Sequence, residues 1–366
     1  MRGADAAVVR RAVDEGDPLP GTRGFAGRLA DGRIVRDVLG RVPLFSERTD
    51  PTTWSHDPTD LDDPEPVPAG HARSPLDGEG SDERLWNLPD PPTFADERAA
   101  VAAVRQALAA SLDDVTADGT AVAFSGGVDS ALVAAALDVP CYVAGFPDSP
   151  DLVAAREGAA MLDCDLRVVE LDHDAVERAV PRVARATGRT NAMDVEIALP
   201  LHLVAERAAA DGHDRLAVGQ GADELFGGYD KVARVDHRVD ADTVHGATRE
   251  TIRTLPKQLP RDVLAVRSGG VEPVAPLLDD RVVSAALRLP GGALVSERGE
   301  RKWALRLAAR AFVPDRVAFR EKKAVQYGSF VARELDRLAR RAGFKRRQDD
   351  HVTKYVRSRA SEGGPQ

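Results

Sequence analysis

From residue 94 onward the chain alternates short apolar runs with segments of helical spacing. Glu97 to Ser111 sets Val101, Val104 and Leu108, with Leu112 just beyond, at helical intervals, which predicts a packing helix. The compact run Ala121 to Phe124 predicts a buried strand, followed by a helix from about Asp129 to Leu137. Cys141 to Gly145 reads as a second strand, with a helix near Asp151 to Leu162 after it. Leu166 to Leu171 reads as a third strand and Leu216 to Val218 as a fourth. Leu199 to Ala210 lies between the last two and predicts a helix with Pro200 in its first turn, where a missing N–H costs nothing. Beyond Tyr229 the pattern is mostly helical, including Arg301 to Ala311 and Val331 to Ala342. Strands alternating with helices at this spacing predict a parallel sheet with crossover helices on both faces.

Residues 1 to 93 are different. Pro, Asp, Gly and Ser crowd between about Thr49 and Pro92, and the apolar pieces, such as Ile34-Val35 and Val42 to Phe45, are short. A boundary near Pro92-Thr93 follows, dividing the chain into a segment 1–93 and a domain 94–366. The fold class expected is α/β, with a helical C-terminal part and a small, partial N-terminal α+β segment.

Composition narrows the function. The chain has 366 residues, 43% hydrophobic and 30% charged, enough for a sizeable core and too apolar for a disordered chain. No run approaches the ~18 to 20 uninterrupted apolar residues of a membrane helix. Met1 to Pro18 carries charges throughout and lacks the order of a secretory signal, so a cytoplasmic location is expected. The net charge of -9 argues against nucleic acid as the main partner, because phosphate contacts need clustered Lys and Arg; only Arg337 to Arg347 is locally basic. Cys141 and Cys164 form no CxxC pair, which leaves neither a disulfide framework nor a zinc site, and both are expected to be buried.

Two loops carry candidate chemistry. Ser125-Gly126-Gly127-Val128-Asp129-Ser130 follows a buried strand and opens a helix, so its glycines let successive N–H groups converge with the helix N-terminus on a phosphate or pyrophosphate. Asp129 adds a carboxylate beside those phosphates, which requires a divalent cation between the negative groups; Ser125 and Ser130 add hydroxyls. The loop has neither the GK[ST] of a Walker motif nor the third glycine of GxGxxG. The second loop, Gly219-Gln220-Gly221-Ala222-Asp223-Glu224-Leu225-Phe226-Gly227-Gly228-Tyr229, also follows an apolar strand. Gly219 and Gly221 allow close backbone approach to a ligand, and Asp223 offers the second carboxylate for the metal.

These two motifs, in this order, resemble the synthetase domain of the asparagine synthetase family, within the N-type ATP pyrophosphatases that use an SGGxDS loop (adenine nucleotide alpha-hydrolase-like fold). The similarity extends through Gly145 to Leu152, through Glu272, Pro276 and Asp279, and through Arg301 to Arg306 and Arg320 to Lys323, spanning roughly residues 94 to 330. The resemblance implies ATP and Mg2+, a carboxylate attacking the α-phosphorus, departure of pyrophosphate, and ammonia converting the acyl-adenylate into an amide. The metal falls to Asp129 and Asp223, the pyrophosphate to Ser125 through Ser130, and adenine to backbone groups near Ala144, Gly145 and Gly219. The family's lysine near the α-phosphate is matched by Lys322, with Lys323 beside it; only 7 of the 50 basic residues are lysine.

Residues 32–45 and 67–71 resemble parts of the family's glutaminase domain, whose nucleophilic cysteine follows the initiator Met. Here Arg2 stands in that place and no cysteine precedes Cys141, so glutaminase activity is expected to be absent and ammonia to come free or from a separate protein. The family's GEGxDE reads with Gln220 for its first Glu, and its E-x-R-x-P segment has Val274 for the Arg, so a retained adenylation site with an altered acceptor, nucleophile or carboxylate is expected. The leading reading is an amide-forming ligase acting on a small carboxylate, aspartate first. The alternatives are a tRNA-modifying pyrophosphatase with the same loop, or a nucleotide-binding relative without ligase activity.

Overall fold

A computed structural model describes residues 1–74, 81–320, 328–347 and 349–362. The chain divides into two compact units. The first comprises Met1–Val115, Gly219–Pro260 and Ala275–Phe312; the second comprises Thr116–Val218, Arg261–Val274 and Val313–Gln366.

In the first unit, α1 (Ala6–Glu15) begins at an Asp5 cap and ends at Gly16 in the left-handed conformation, the residue type that takes it without a Cβ penalty. Seven short strands follow: β1 (Ala26–Arg28), β2 (Ile34–Arg36), β3 (Phe45–Glu47), β4 (Trp54–Ser55), β5 (Pro64–Pro66), β6 (His71–Arg73) and β7 (Asp82–Arg84). They form two antiparallel sheets, β1-β2-β6-β7 and β4-β3-β5, over a small core of Ala26, Ile34, Leu44 and Val67. A buried ion network ties this region to residues far along the chain. Arg41 donates from Nε to Asp37 Oδ1 at 2.8 Å and from Nη1 to Asp280 Oδ1 at 2.6 Å and Leu278 O at 2.8 Å. Helix α2 (Glu97–Asp113) buries Ala100, Val104, Leu108 and Leu112 in the same unit; Val101 is only half-buried.

The second unit holds a five-stranded sheet, all parallel, in the order β10-β9-β8-β11-β12. Its strands are β8 (Thr120–Ala123), β9 (Cys141–Gly145), β10 (Leu166–Glu170), β11 (Arg215–Ala217) and β12 (Glu272–Val274). Every residue of β9 is buried, as in a strand covered on both faces. The covering helices include α3 (Val128–Leu137), α4 (Pro150–Leu162) and α6 (Ala192–Ala210), which pack on β8, β9 and β10; α5 (His173–Thr187) packs on α6. The sequence-based α/β assignment therefore holds. Since β8 lies between β9 and β11, the sheet reverses its winding between β8 and β11, the place where ligands bind in open α/β sheets.

Four expectations change. Helix α6 starts at Ala192, not Leu199, because the Asn191 side chain caps it by accepting from Asp194 N at 3.0 Å; Pro200 therefore stands inside the helix. Helix α5 was hidden by Pro181 in its interior. The fifth strand, β12, comprises only Glu-Pro-Val and pairs with β11, too short to register as an apolar run. Cys164 lies half-buried in the turn after α4, while Cys141 is buried in β9. Among the described residues no helix is long and apolar enough to cross a membrane.

Candidate active site

Within the second unit, Ser125 to Gly127 joins the end of β8 to α3. Gly126 has φ +73°, and a Cβ added there would lie 2.3 Å from Ala154 O and 2.9 Å from Ala155 N. Only glycine fits both the backbone conformation and the space. Gly158 of α4 faces the same loop, a Cβ on it falling 3.2 Å from the Gly126 Cα. Gly127 is the cap of α3 and, having no side chain, makes no side-chain cap bond to the helix's first turn. Asp129 lies in that turn. Buried Ser130 closes the loop on itself: its Oγ accepts from Ser125 N at 3.1 Å, lies 3.1 Å from Ser125 Oγ, and donates to Gly127 O at 3.3 Å. The hydroxyl of Ser130 thus shapes the cradle from inside.

Ala144 and Gly145 end β9, both buried. A Cβ on Gly145 would come within 2.5 Å of Ser149 Oγ and 3.0 Å of Leu152 Cγ, so the first turn of α4 packs directly on the strand end. The described residues on either side of 321–327 are held here. Arg320 Nη1 donates to Ala154 O at 2.7 Å and pairs with Glu157. On the other side, Phe146 N donates to Ser329 O at 3.2 Å, and Gly328 packs so closely on buried Asp151 that a Cβ would overlap its carboxylate at 2.2 Å. Lys322 and Lys323 themselves lie outside the described residues.

In the first unit, Gly219 to Gly221 leads into the single-turn helix α7 (Ala222–Leu225). Gly221 has φ +89° and lies against Leu278. Asp223 Oδ1 accepts from Lys302 Nζ at 2.8 Å; the Asp223 side chain is 47% exposed and that of Lys302 only 9%. Gly228 leaves room for this pair, since a Cβ would be 2.0 Å from Asp223 Oδ1 and 2.5 Å from Lys302 Cε. Beside them, Glu224 is buried, and burial together with the neighbouring Asp223 charge pushes its carboxyl up to about 7. The Tyr229 hydroxyl donates to Glu224 Oε1 at 2.5 Å, and Thr251 Oγ1 donates to Glu224 O at 3.1 Å.

The expected site residues fall into two sets. Ser125, Gly126, Gly127, Asp129, Ser130, Ala144 and Gly145 gather at the C-terminal ends of β8 and β9 in the second unit; Gly219, Gln220, Gly221 and Asp223 lie in the first. Sequence reading gave no role to Lys302, although the motif Arg301 to Arg306 was in view; the signal was one of only 7 lysines falling inside that motif. It also passed over Glu196 in α6, half-buried and pushed up to about 7 by burial. A phosphate fits the first set, because the glycine turn between β8 and α3 brings loop amides to the N-terminus of a helix whose cap residue, Gly127, has no side chain. Among the described residues no three or more His, Cys, Asp or Glu side chains are grouped to hold a metal by themselves. Mg2+ in nucleotide sites takes only one or two carboxylates plus phosphate oxygens, and Asp129 and Asp223 are donors of that kind.

Comparison with known proteins gives the family. The sequence profile described as Asparagine synthase matches residues 103–268 and 237–360. A glutamine-hydrolysing asparagine synthetase 1 of Methanocaldococcus jannaschii is 30% identical over 67% of this chain and 52% of its own length. Asparagine synthetase B of Escherichia coli is 28% identical over 50% of this chain and 33% of its own length, and the asparagine synthetase of Brassica oleracea is 25% identical over 88% and 61%. The chain spans about half the length of the curated relatives it matches. With the profile covering well over half of its residues, the chain belongs to the asparagine synthase family.

Proposed function

We propose that the chain is an ATP-dependent amide-forming ligase that adenylates a small carboxylate, aspartate first among candidates, releases pyrophosphate, and passes the acyl group to ammonia. The observation that carries this reading is the Ser125–Ser130 loop, which turns at Gly126 (φ +73°) against α4 and joins the C-terminal end of β8 to the N-terminus of α3. A departing pyrophosphate needs converging N–H donors, and the amides of the first turn of α3 supply them.

The roles follow from the residues. Ser125, Gly126, Gly127 and Ser130 form the phosphate cradle, with Ser130 holding its shape. Asp129 and Asp223 are the carboxylates assigned to Mg2+, which when bound would neutralise charge developing on the phosphates. Ala144, Gly145 and Gly219 offer backbone to the adenine. Lys322 is assigned the mobile cation near the α-phosphate; the flanking anchors at Arg320 and Ser329, both on the α4 side of the second unit, favour that assignment. Gln220, between glycines, is assigned to the acyl group and its nucleophile.

Ammonia is favoured over glutamine as the nitrogen source for this chain. A glutaminase of this kind needs a reactive thiolate, and contact with the Cys164 thiol, together with burial, pushes the Cys141 thiol up, away from thiolate character. Cys164 lies in the turn after α4 in the same unit, and the same hydrogen bond shifts its thiol down.

ATP–pyrophosphate exchange against a panel of carboxylic acids tests the proposal. Exchange with aspartate or a near analogue, and amide formed on adding ammonium, is the expected result. Absence of exchange with every acid, in a protein that binds ATP, would leave nucleotide binding without ligase activity as the better reading.

A further inference from the structure

The pairing of Lys302 with Asp223 is built rather than incidental. Lys302 takes a left-handed backbone conformation, φ +58°, which strains a residue with a Cβ and persists where surroundings impose it. Those surroundings are specific. Arg301, the residue before it, donates from Nη1 to Gly228 O at 3.0 Å; Arg306 donates from Nε to Arg301 O at 2.8 Å; and Gly228 N donates to Asp223 O at 2.8 Å. Gly228 has no Cβ to collide with either member of the pair. The ammonium comes from the protein side, nearly buried, while the Asp223 carboxylate is half exposed to solvent.

Resting on the assignment of Asp223 to the metal, we propose that Lys302 is a positioning residue that keeps the carboxylate ordered but weakens its hold on a divalent cation until the nucleotide phosphates add their own charge. A fixed positive charge 2.8 Å from Oδ1 satisfies Asp223 in the absence of metal and repels a second cation there. Phosphate oxygens reverse that balance. The site then takes its cation together with ATP and only weakly alone.

The test measures Mn2+ binding by electron paramagnetic resonance on the full chain, with and without ATP, in the wild type and in Lys302→Met, which keeps the stem and removes the charge. Mn2+ alone should bind about two- to five-fold more tightly to the variant, the range a partly exposed ion pair commands, and the gain on adding ATP should shrink. Weaker or unchanged binding of Mn2+ alone in a variant that melts like the wild type would overturn the role of Lys302. If Lys302→Met does not fold, the wild type decides: Mn2+ with ATP should raise acylation of the Lys302 amine, read by peptide mass, and no rise would overturn the proposal. Asp223→Asn separates the two readings. If it leaves Mn2+ binding untouched, the metal assignment fails and the role of Lys302 with it; if it abolishes binding while Lys302→Met changes nothing, only the role of Lys302 fails.

Discussion

The Cα of Gly126 lies directly beneath the carbonyl of Ala154, so close that a Cβ would approach the oxygen to 2.3 Å. Arg320 Nη1 donates to that same oxygen at 2.7 Å. One backbone carbonyl of α4 therefore fixes both the shape of the first loop and the start of the segment that carries Lys322.

Gly126→Ala should consequently damage the site and the fold together. The new methyl meets backbone rather than a yielding side chain, and it demands a positive φ from a residue that resists it. A loss of roughly 2–4 kcal/mol of stability is expected, with ATP binding lost at temperatures where the variant is still folded. Thermal melts and a nucleotide-binding titration check both parts; an unchanged melting temperature would contradict the packing described.

Turnover of ATP should give AMP and pyrophosphate, because the Ser125–Ser130 cradle suits a leaving pyrophosphate. Asp129→Asn should remove most magnesium-dependent exchange while leaving the fold intact, since Asp129 is in the first turn of α3, where its charge favours the helix by only about 0.3–1 kcal/mol. Appearance of ADP in a nucleotide assay would defeat this reading of the loop.

Glu224 gives the protein a pH dependence with a definite sign. Burial first, and the Asp223 charge second, raise its carboxyl from 4.5 to about 7 in the folded state. A raised folded-state value means that its contribution is fully present below 4.5 and is lost as pH climbs through about 7. Glu224→Gln keeps an acceptor for the Tyr229 hydroxyl and removes the titration. Relative to the wild type, the variant should gain stability between those pH values, on the order of 3 kcal/mol in all, and change no further above them. Denaturant midpoints at pH 4.5, 6 and 8 measure this; parallel curves would show that Glu224 is not held in its neutral form.

The sheet was legible because β8 and β9 are short, mostly buried apolar runs, and buried parallel strands read that way; half-buried β10, at the sheet edge, showed through Leu166, Val168 and Val169. The loop after β8 was legible through its SGGxDS pattern, in which Gly126 is required by φ and by space at once. Other parts were hidden for physical reasons. Strand β12 has three residues and owes its place to pairing with β11, not to its own pattern. Helices α5 and α6 contain Pro181 and Pro200, each of which argues locally against a helix that packing maintains. The Lys302–Asp223 pair joins residues far apart in sequence, a relation that no local window contains.

The last prediction concerns Gln220, which lies between Gly219 and Gly221 in the loop leading to α7. A glutamate at this place balances a cationic amine or accepts a proton as ammonia attacks; glutamine keeps the shape and the hydrogen bonding but has neither charge nor basicity. Adenylation should therefore proceed in the wild type while amide formation is slow or favours another nucleophile or acid. Gln220→Glu should raise the asparagine made from aspartate and ammonium per AMP released, with little effect on pyrophosphate exchange. One catalytic proton transfer is worth ~10²–10⁴ in rate, so even partial recovery should be measurable. Gln220 is half-buried and glutamate matches it in shape, so the change tests chemistry rather than folding. If the wild type already forms one amide per AMP and the Glu variant does no better, the residue at 220 is neutral and plain asparagine synthesis is the activity.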